Sequence, residues 1–328
     1  MIKAPAPGGA RHQTQNQYSN ATAGGHADRL EAIRTALLEH GIEPANPDAL
    51  LSRLPDAEGR PVRFGTTSKP RSKNGWLIAY HDRGLPFVVI AGDWSTGAEM
   101  KWVAGNADTM TPAEQRELKH RIAEAKRARE QEQTHQWEAR AGTAARIWQT
   151  TRPADPQHPY LLRKGIQPHR ARQQGGDIVL LLTDFTGKAW SLQTITEAGD
   201  KRFMAGGKKA GNFITVSGPN YPARVLICEG YATGCTLAEM DPAALVLAAM
   251  DAGNLQAVST GARNRWPNAD LIVCGDDDRK TPGNPGATAA RAAALAAGAR
   301  FALPEWPPGA PLHLSDFNDL HNWQRGQQ

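Results

Sequence analysis

The sequence predicts an α+β protein. A C-terminal α/β domain (a small parallel sheet flanked by helices) follows a β-rich subdomain and an N-terminal β-rich module with a long linking helix. Three observations carry this. Beyond Pro222, four short apolar runs (225–228, 244–249, 271–274 and 299–303) alternate with helical segments at 233–240 and 287–297, the pattern of strands buried on both faces between crossover helices. Residues 60–105 and 155–218 instead hold aromatic and β-branched runs punctuated by Gly and Pro, the texture of short antiparallel strands with tight turns. Between them, the stretch to about Trp148 is rich in Ala, Glu, Gln and Arg and poor in large apolar residues, which fits a long, largely solvated helix.

Taken in order, residues 1–25 are small, polar and aperiodic, and read as a disordered tail. Leu30, Ile33, Leu37 and Leu38 recur at helical spacing and open a module at 26–105. Its turns include Gly75-Trp76, Gly84-Leu85-Pro86 and Gly92-Asp93-Trp94. Thr111-Pro112-Ala113-Glu114 is a helix start, with Thr as N-cap, Pro first and Glu third; the charged helix occupies 106–150. Apolar runs at 177–182, 190–196 and 212–216 place three strands in the subdomain at 151–218, and the α/β domain takes 219–328.

Charge sets few limits. Lys and Arg number 38 against 33 Asp and Glu, a net charge of +5, which permits a polyanionic partner without demanding one. Cys228, Cys235 and Cys274 form no CxxC pair, so no zinc ribbon or disulfide framework is expected, and they read as buried apolar residues in a reducing compartment. No apolar stretch approaches 18 residues and none resembles a signal peptide. The expectation is a cytoplasmic protein without a membrane partner.

In a parallel sheet, function gathers at the carboxyl ends of the strands. The first ends in Glu229-Gly230 and the third in Gly275-Asp276-Asp277-Asp278. Three consecutive Asp repel one another unless solvated or neutralised by a cation. Alternation along an extended segment lets Asp276 and Asp278 converge while Asp277 points away, and Glu229 supplies a third carboxylate. Hard oxygen ligands with open positions suit Mg²⁺. The alternative is a solvated loop with a helix cap. Asp316-Phe317-Asn318-Asp319 is likewise either a helix start capped by Asp316 or an outer part of the metal site.

These residues together resemble the Toprim domain shared by bacterial primases, topoisomerases and some nucleases. Glu229-Gly230-Tyr231-Ala232-Thr233 resembles the "EGYAT" signature of primases encoded by conjugative plasmids and satellite phages, and Asp316-Phe317-Asn318-Asp319-Leu320 their closing "DFNDL" motif. Upstream, His158-Pro159-Tyr160-Leu161 with Lys164-Gly165-Ile166 resembles the family's "HPYL…KGI" segment. Trp190-Ser191-Leu192-Gln193, Lys201-Arg202-Phe203-Met204 and Gly206-Gly207-Lys208-Lys209 resemble its basic segment before the Toprim strand.

The resemblance implies a DNA primase that makes short RNA primers on single-stranded DNA from nucleoside triphosphates, for replication or transfer of a mobile element. It implies a catalytic and metal centre of Glu229, Asp276 and Asp278, with Asp316 at its edge and Asp277 as the variable position. Mg²⁺ is the expected ion, with Mn²⁺ able to substitute and no zinc. Lys201, Arg202, Lys208 and Lys209, with Arg163 and Lys164, are the expected nucleotide and nucleic-acid contacts; surface lysines on a hairpin are the alternative. A replicative helicase or mobile-element transfer proteins are the implied partners. Trp76, Trp94 and Trp102 either stack on template bases or belong to the core, and the core reading is favoured. The sequence departs from replicative primases in lacking a zinc module and a G-x-x-x-x-G-K-[ST] helicase motif. A Toprim nuclease and a catalytically idle accessory that holds single-stranded DNA are the rival readings.

Overall fold

A computed structural model describes residues 18–21, 25–71, 73–82, 85–104 and 112–326. The chain divides into two units at Gln133/Thr134, inside the long helix α3 (Pro112–Thr150). The tail at 1–17 and 22–24, the turn glycine Gly84 and the Thr111 cap lie outside the described residues.

The N-terminal unit holds β1 (Tyr18–Ala21), α1 (His26–Glu39), α2 (Pro47–Leu51), β2 (Val62–Phe64), β3 (Gly75–Asp82), β4 (Leu85–Asp93) and β5 (Ala98–Ala104). The sheet order is β1-β5-β4-β3-β2, antiparallel except that β1 runs parallel to β5. The strand at 18–21 corrects the reading of 1–25 as wholly disordered. Edge pairing uses backbone groups, which apolar periodicity does not reveal. Ile33, Ala36 and Leu37 of α1 pack on Leu77, Ala79, Val89 and Trp102. Of the three tryptophans, Trp102 is buried in this core, as favoured. Trp94 is not: it is 57% exposed, with the Arg63 guanidinium 3.6 Å above its ring and the half-buried Trp76 stacked at 6.3 Å.

The C-terminal unit carries two five-stranded sheets. β6 (Arg152–Pro153), α4 (Pro159–Lys164), β7 (Arg172–Gln174), β8 (Asp177–Thr183), β9 (Ala189–Ile195) and β10 (Lys201–Phe203) give an antiparallel sheet in the order β10-β9-β8-β7-β6. The second sheet holds β11 (Ile214–Ser217), β12 (Arg224–Cys228), β13 (Leu245–Ala248), β14 (Asp270–Cys274) and β15 (Arg300–Ala302), with helices α5 (Tyr231–Met240), α6 (Leu255–Arg265), α7 (Pro285–Ala297) and α8 (Phe317–Arg325). Its order is β11-β13-β12-β14-β15, all parallel except β11. The run at 212–216 therefore belongs to this sheet and not to the preceding subdomain.

Alternation along the buried strands feeds two cores. Leu226, Cys228, Val246 and Ala248 face α5, while Val225, Ile227, Leu247, Leu271 and Val273 face α6 and α7. Gly234 lets α5 lie close on the edge strand, since a Cβ there would stand 2.9 Å from Val216. All three cysteines are free and buried. Among the described residues, no helix is long and apolar enough to cross a membrane.

Candidate active site

Parallel register puts the ends of β12 and β14 side by side, with Cys228 opposite Cys274, so the residues that follow both strands meet at one edge. Glu229 follows β12, and its chain turns at once into α5. The tyrosine of the Glu-Gly-Tyr-Ala-Thr stretch is a structural bolt. Tyr231 is 1% exposed and donates its hydroxyl to the Pro168 carbonyl at 2.7 Å.

The three aspartates after β14 divide their work. Asp277 turns away from the acids. It accepts from Asn284 Nδ2 at 2.6 Å and from Trp306 Nε1 at 2.9 Å, with Arg279 at 3.9 Å. Asn284 caps α7 with a left-handed backbone, and its Oδ1 accepts from the Asp278 N–H at 2.9 Å. Asp278 Oδ2 then accepts from the Gly286 N–H at 2.9 Å, in the first turn of α7, where the helix dipole favours a carboxylate. A Cβ on Gly286 would stand 2.8 Å from the Asp276 carbonyl and 2.9 Å from Asp278 Oδ2, so only glycine allows this approach.

Asp276 is the centre of the cluster. Its Oδ1 is buried and has no hydrogen-bond partner. Burial first, then the charges of Glu229, Asp316 and Asp278, push its carboxyl up to about 8, with Lys201 pulling the other way. Burial, then Asp278 and Asp251, raise Glu229. Asp316 is raised by burial and by Asp319, against Lys164 and hydrogen bonds from the Asp319 backbone and Thr233. Asp316 also caps α8 by accepting from the Asp319 N–H at 2.8 Å, and its charge reaches Asp276.

These carboxylates stand within electrostatic reach of one another, and among the described residues no three acid, His or Cys side chains are drawn into a closed ligand set. The donor set still suits a hard cation. It is all carboxylate oxygen, mutually repelling, with one buried oxygen lacking any donor.

The basic candidates separate. The exposed Lys201 on β10 faces the acids closely enough to oppose the shifts of both Glu229 and Asp276, and strand alternation sends Arg202 to the other side. Lys164 lies 3.8 Å from Asp319 Oδ1. Lys209 pairs with Asp251. Lys208 sits over the rings of Trp190 at 4.5 Å and Trp137 at 5.2 Å. Arg163 is not drawn to the acids, and its Nη2 donates to the Glu197 carbonyl at 3.0 Å.

Sequence reasoning missed Asp251 and Asn254, and held Asn318 only as part of its motif, without a role. Asp251 follows the apolar β13 much as Glu229 follows β12, which was its available signal. Asn318, fully buried, donates to the Lys164 carbonyl at 2.8 Å and to Thr236 Oγ1 at 3.0 Å, joining the Lys-Gly-Ile segment to α5 and α8. Its partners show only in the tertiary structure.

Residues 224–327 match the Toprim domain family. Two proteins from Escherichia coli, each named DNA primase TraC, are 37% identical over 266 residues and 35% identical over 267 residues, in both cases 78% of this chain. The chain spans 25% and 18% of the lengths of these relatives. Among solved structures, the primase fragment of the bacteriophage T7 primase-helicase superposes with a TM-score of 0.37 at 14% identity, over 54% of this chain and 76% of that one. The DnaG catalytic core gives 0.30 at 15% identity, over 53% and 66%. The chain thus carries a Toprim domain at residues 224–327, within a longer region related in sequence to the TraC primases.

Proposed function

We propose that this chain is the catalytic part of a DNA primase, joining nucleoside triphosphates into short RNA primers on single-stranded DNA. The observation that carries the reading is the buried, unpartnered Asp276 oxygen at the meeting of Glu229, Asp278 and Asp316, with Lys201 opposite. The sequence relation to DNA primases over 78% of the chain supports the same reading.

Asp276 and Asp278, with Glu229, would hold Mg²⁺, which lowers the pKa of an attacking hydroxyl and stabilises the charge on a leaving pyrophosphate. Mn²⁺ satisfies the same oxygen donors. Glu229, whose carboxyl is raised by burial and by Asp278 and Asp251, serves either as the third carboxylate on that ion or as the acceptor of the proton from the attacking 3′-hydroxyl. Lys201 and Lys209 take the triphosphate, and Lys208 offers a cation to the template phosphates.

The test is primer synthesis on single-stranded DNA with labelled ribonucleotides and Mg²⁺, wild type against Asp278→Ala. Short products that fall at least about 100-fold in the variant support the reading. Template loss without products indicates a nuclease, and tight template binding with neither indicates an accessory; either outcome sinks the proposal.

A further inference from the structure

The loop that carries Lys208 and Lys209 is stapled to the catalytic sheet by one buried amide. Asn254 is 5% exposed. Its Oδ1 accepts from the Gly211 N–H at 2.8 Å, and its Nδ2 donates to the carbonyls of Asn212 and Ala249, both at 2.8 Å. Asn212 closes the loop on itself, donating its Nδ2 to the Lys208 carbonyl at 3.1 Å and its N–H to the Lys209 carbonyl at 2.9 Å. Asp251 fixes Asn254 in turn by accepting its backbone N–H on Oδ1 at 2.9 Å, while Oδ2 takes the Lys209 ammonium. The same segment is pinned to the catalytic strand end, since the Met250 N–H donates to the Glu229 carbonyl at 2.8 Å.

Two features distinguish this arrangement from ordinary loop anchoring. The Lys209 and Asp251 side chains are 41% and 36% exposed, so their ion pair adds little to stability and the ammonium can change partners. Asp251 is also one of the acids whose charge Glu229 feels, which puts the pair at the catalytic edge.

We propose that Asn254 is a positioning residue for Lys209, and that Asp251 is the resting counter-ion which Lys209 leaves for an incoming triphosphate oxygen. This rests on the nucleotidyl-transfer reading above. Asn254 touches no substrate; it acts through the lysine loop. Lys209 gains a phosphate oxygen as it loses a carboxylate, and the Asp251 carboxylate it leaves is 36% exposed and is taken up by solvent.

A double-mutant cycle on the full chain tests it, using Asn254→Ala, Lys209→Ala and the pair. Each single change is expected to raise the nucleotide KM about tenfold with kcat held within about threefold, and the pair to be no worse than either alone. Asp251→Asn keeps an oxygen for the Asn254 N–H but removes the charge, and should lower KM. In metal-free protein, the amides of 206–212 should exchange faster in Asn254→Ala than in wild type. If that variant does not fold, Asn254→Asp keeps the acceptor for Gly211, loses both donations and enters the same cycle. Additive effects on KM, or a KM raised by Asp251→Asn, overturn this inference while leaving an active wild type as a primase. A wild type that makes no primers removes the functional reading, and this inference with it.

Discussion

Replacing Asp276 by Asn should stabilise the protein in divalent-free buffer, although it abolishes the proposed activity. The Asp276 carboxyl stands at about 8 in the fold against an ordinary 3.8. At pH 7 the fold must therefore hold a proton that the unfolded chain has released. Full linkage over that interval is about 4 kcal/mol, and solvent reaching the half-buried cluster cuts it to about 2 kcal/mol. An amide at this position carries no proton and no charge. Because the folded value is raised, the wild-type contribution is complete below about pH 4 and drains away as pH rises towards 8. The advantage of Asp276→Asn should follow the inverse course: absent below about pH 4, about 2 kcal/mol at pH 7 and level above 8. Urea unfolding in EDTA at a series of pH values measures it. Adding Mg²⁺ should then stabilise the wild type and leave the variant unmoved. A variant less stable than wild type at every pH, or a difference that does not change with pH, would refute the account of a strained acid cluster.

Two further substitutions separate scaffold from chemistry. Gly286→Ala should cut primer synthesis by at least about tenfold with about 1–2 kcal/mol lost in stability, because its methyl group would displace Asp278 and the Asp276 backbone; steady-state rates beside urea melts decide it. Asp277→Asn should do the reverse. It weakens the bonds to Asn284, Trp306 and Arg279 and costs about 1–3 kcal/mol, while the folded fraction keeps its rate within about threefold, as activity normalised to folded protein would show.

Much of the acid cluster was legible because it is written in short range. Glu229 after one apolar strand and Asp276-x-Asp278 after another need only the rule that parallel strands present their carboxyl ends together, and the pairing of β12 with β14 does so. Asp277 turns towards Asn284 and Trp306 for the same local reason. What escaped depends on distance along the chain. Asn318 meets the Lys164 carbonyl 154 residues away, and Asn254 reaches Gly211 across 43; an Asn in a sequence carries no sign of such a partner. Arg163 and Lys164 illustrate the complementary limit. They are adjacent, at the end of a six-residue helix, yet one is spent on a carbonyl and the other lies beside Asp319. Trp94 likewise lies outside the core, in the turn after β4 with a guanidinium from β2 over its ring, a contact that composition does not encode.

The reversed strand β11 bears on how this domain can be handled alone. The family match begins at 224, but the sheet begins at Ile214, whose strand shields the flank of β13. A fragment cut at the start of the Toprim match would bare the hydrogen-bonding groups of a wholly buried apolar strand, Leu245–Ala248, and invite copies to pair through it. A fragment starting a few residues before Asn212 keeps that flank closed and retains the loop that Asn254 holds. The sheet thus begins ahead of the stretch that matches the Toprim family.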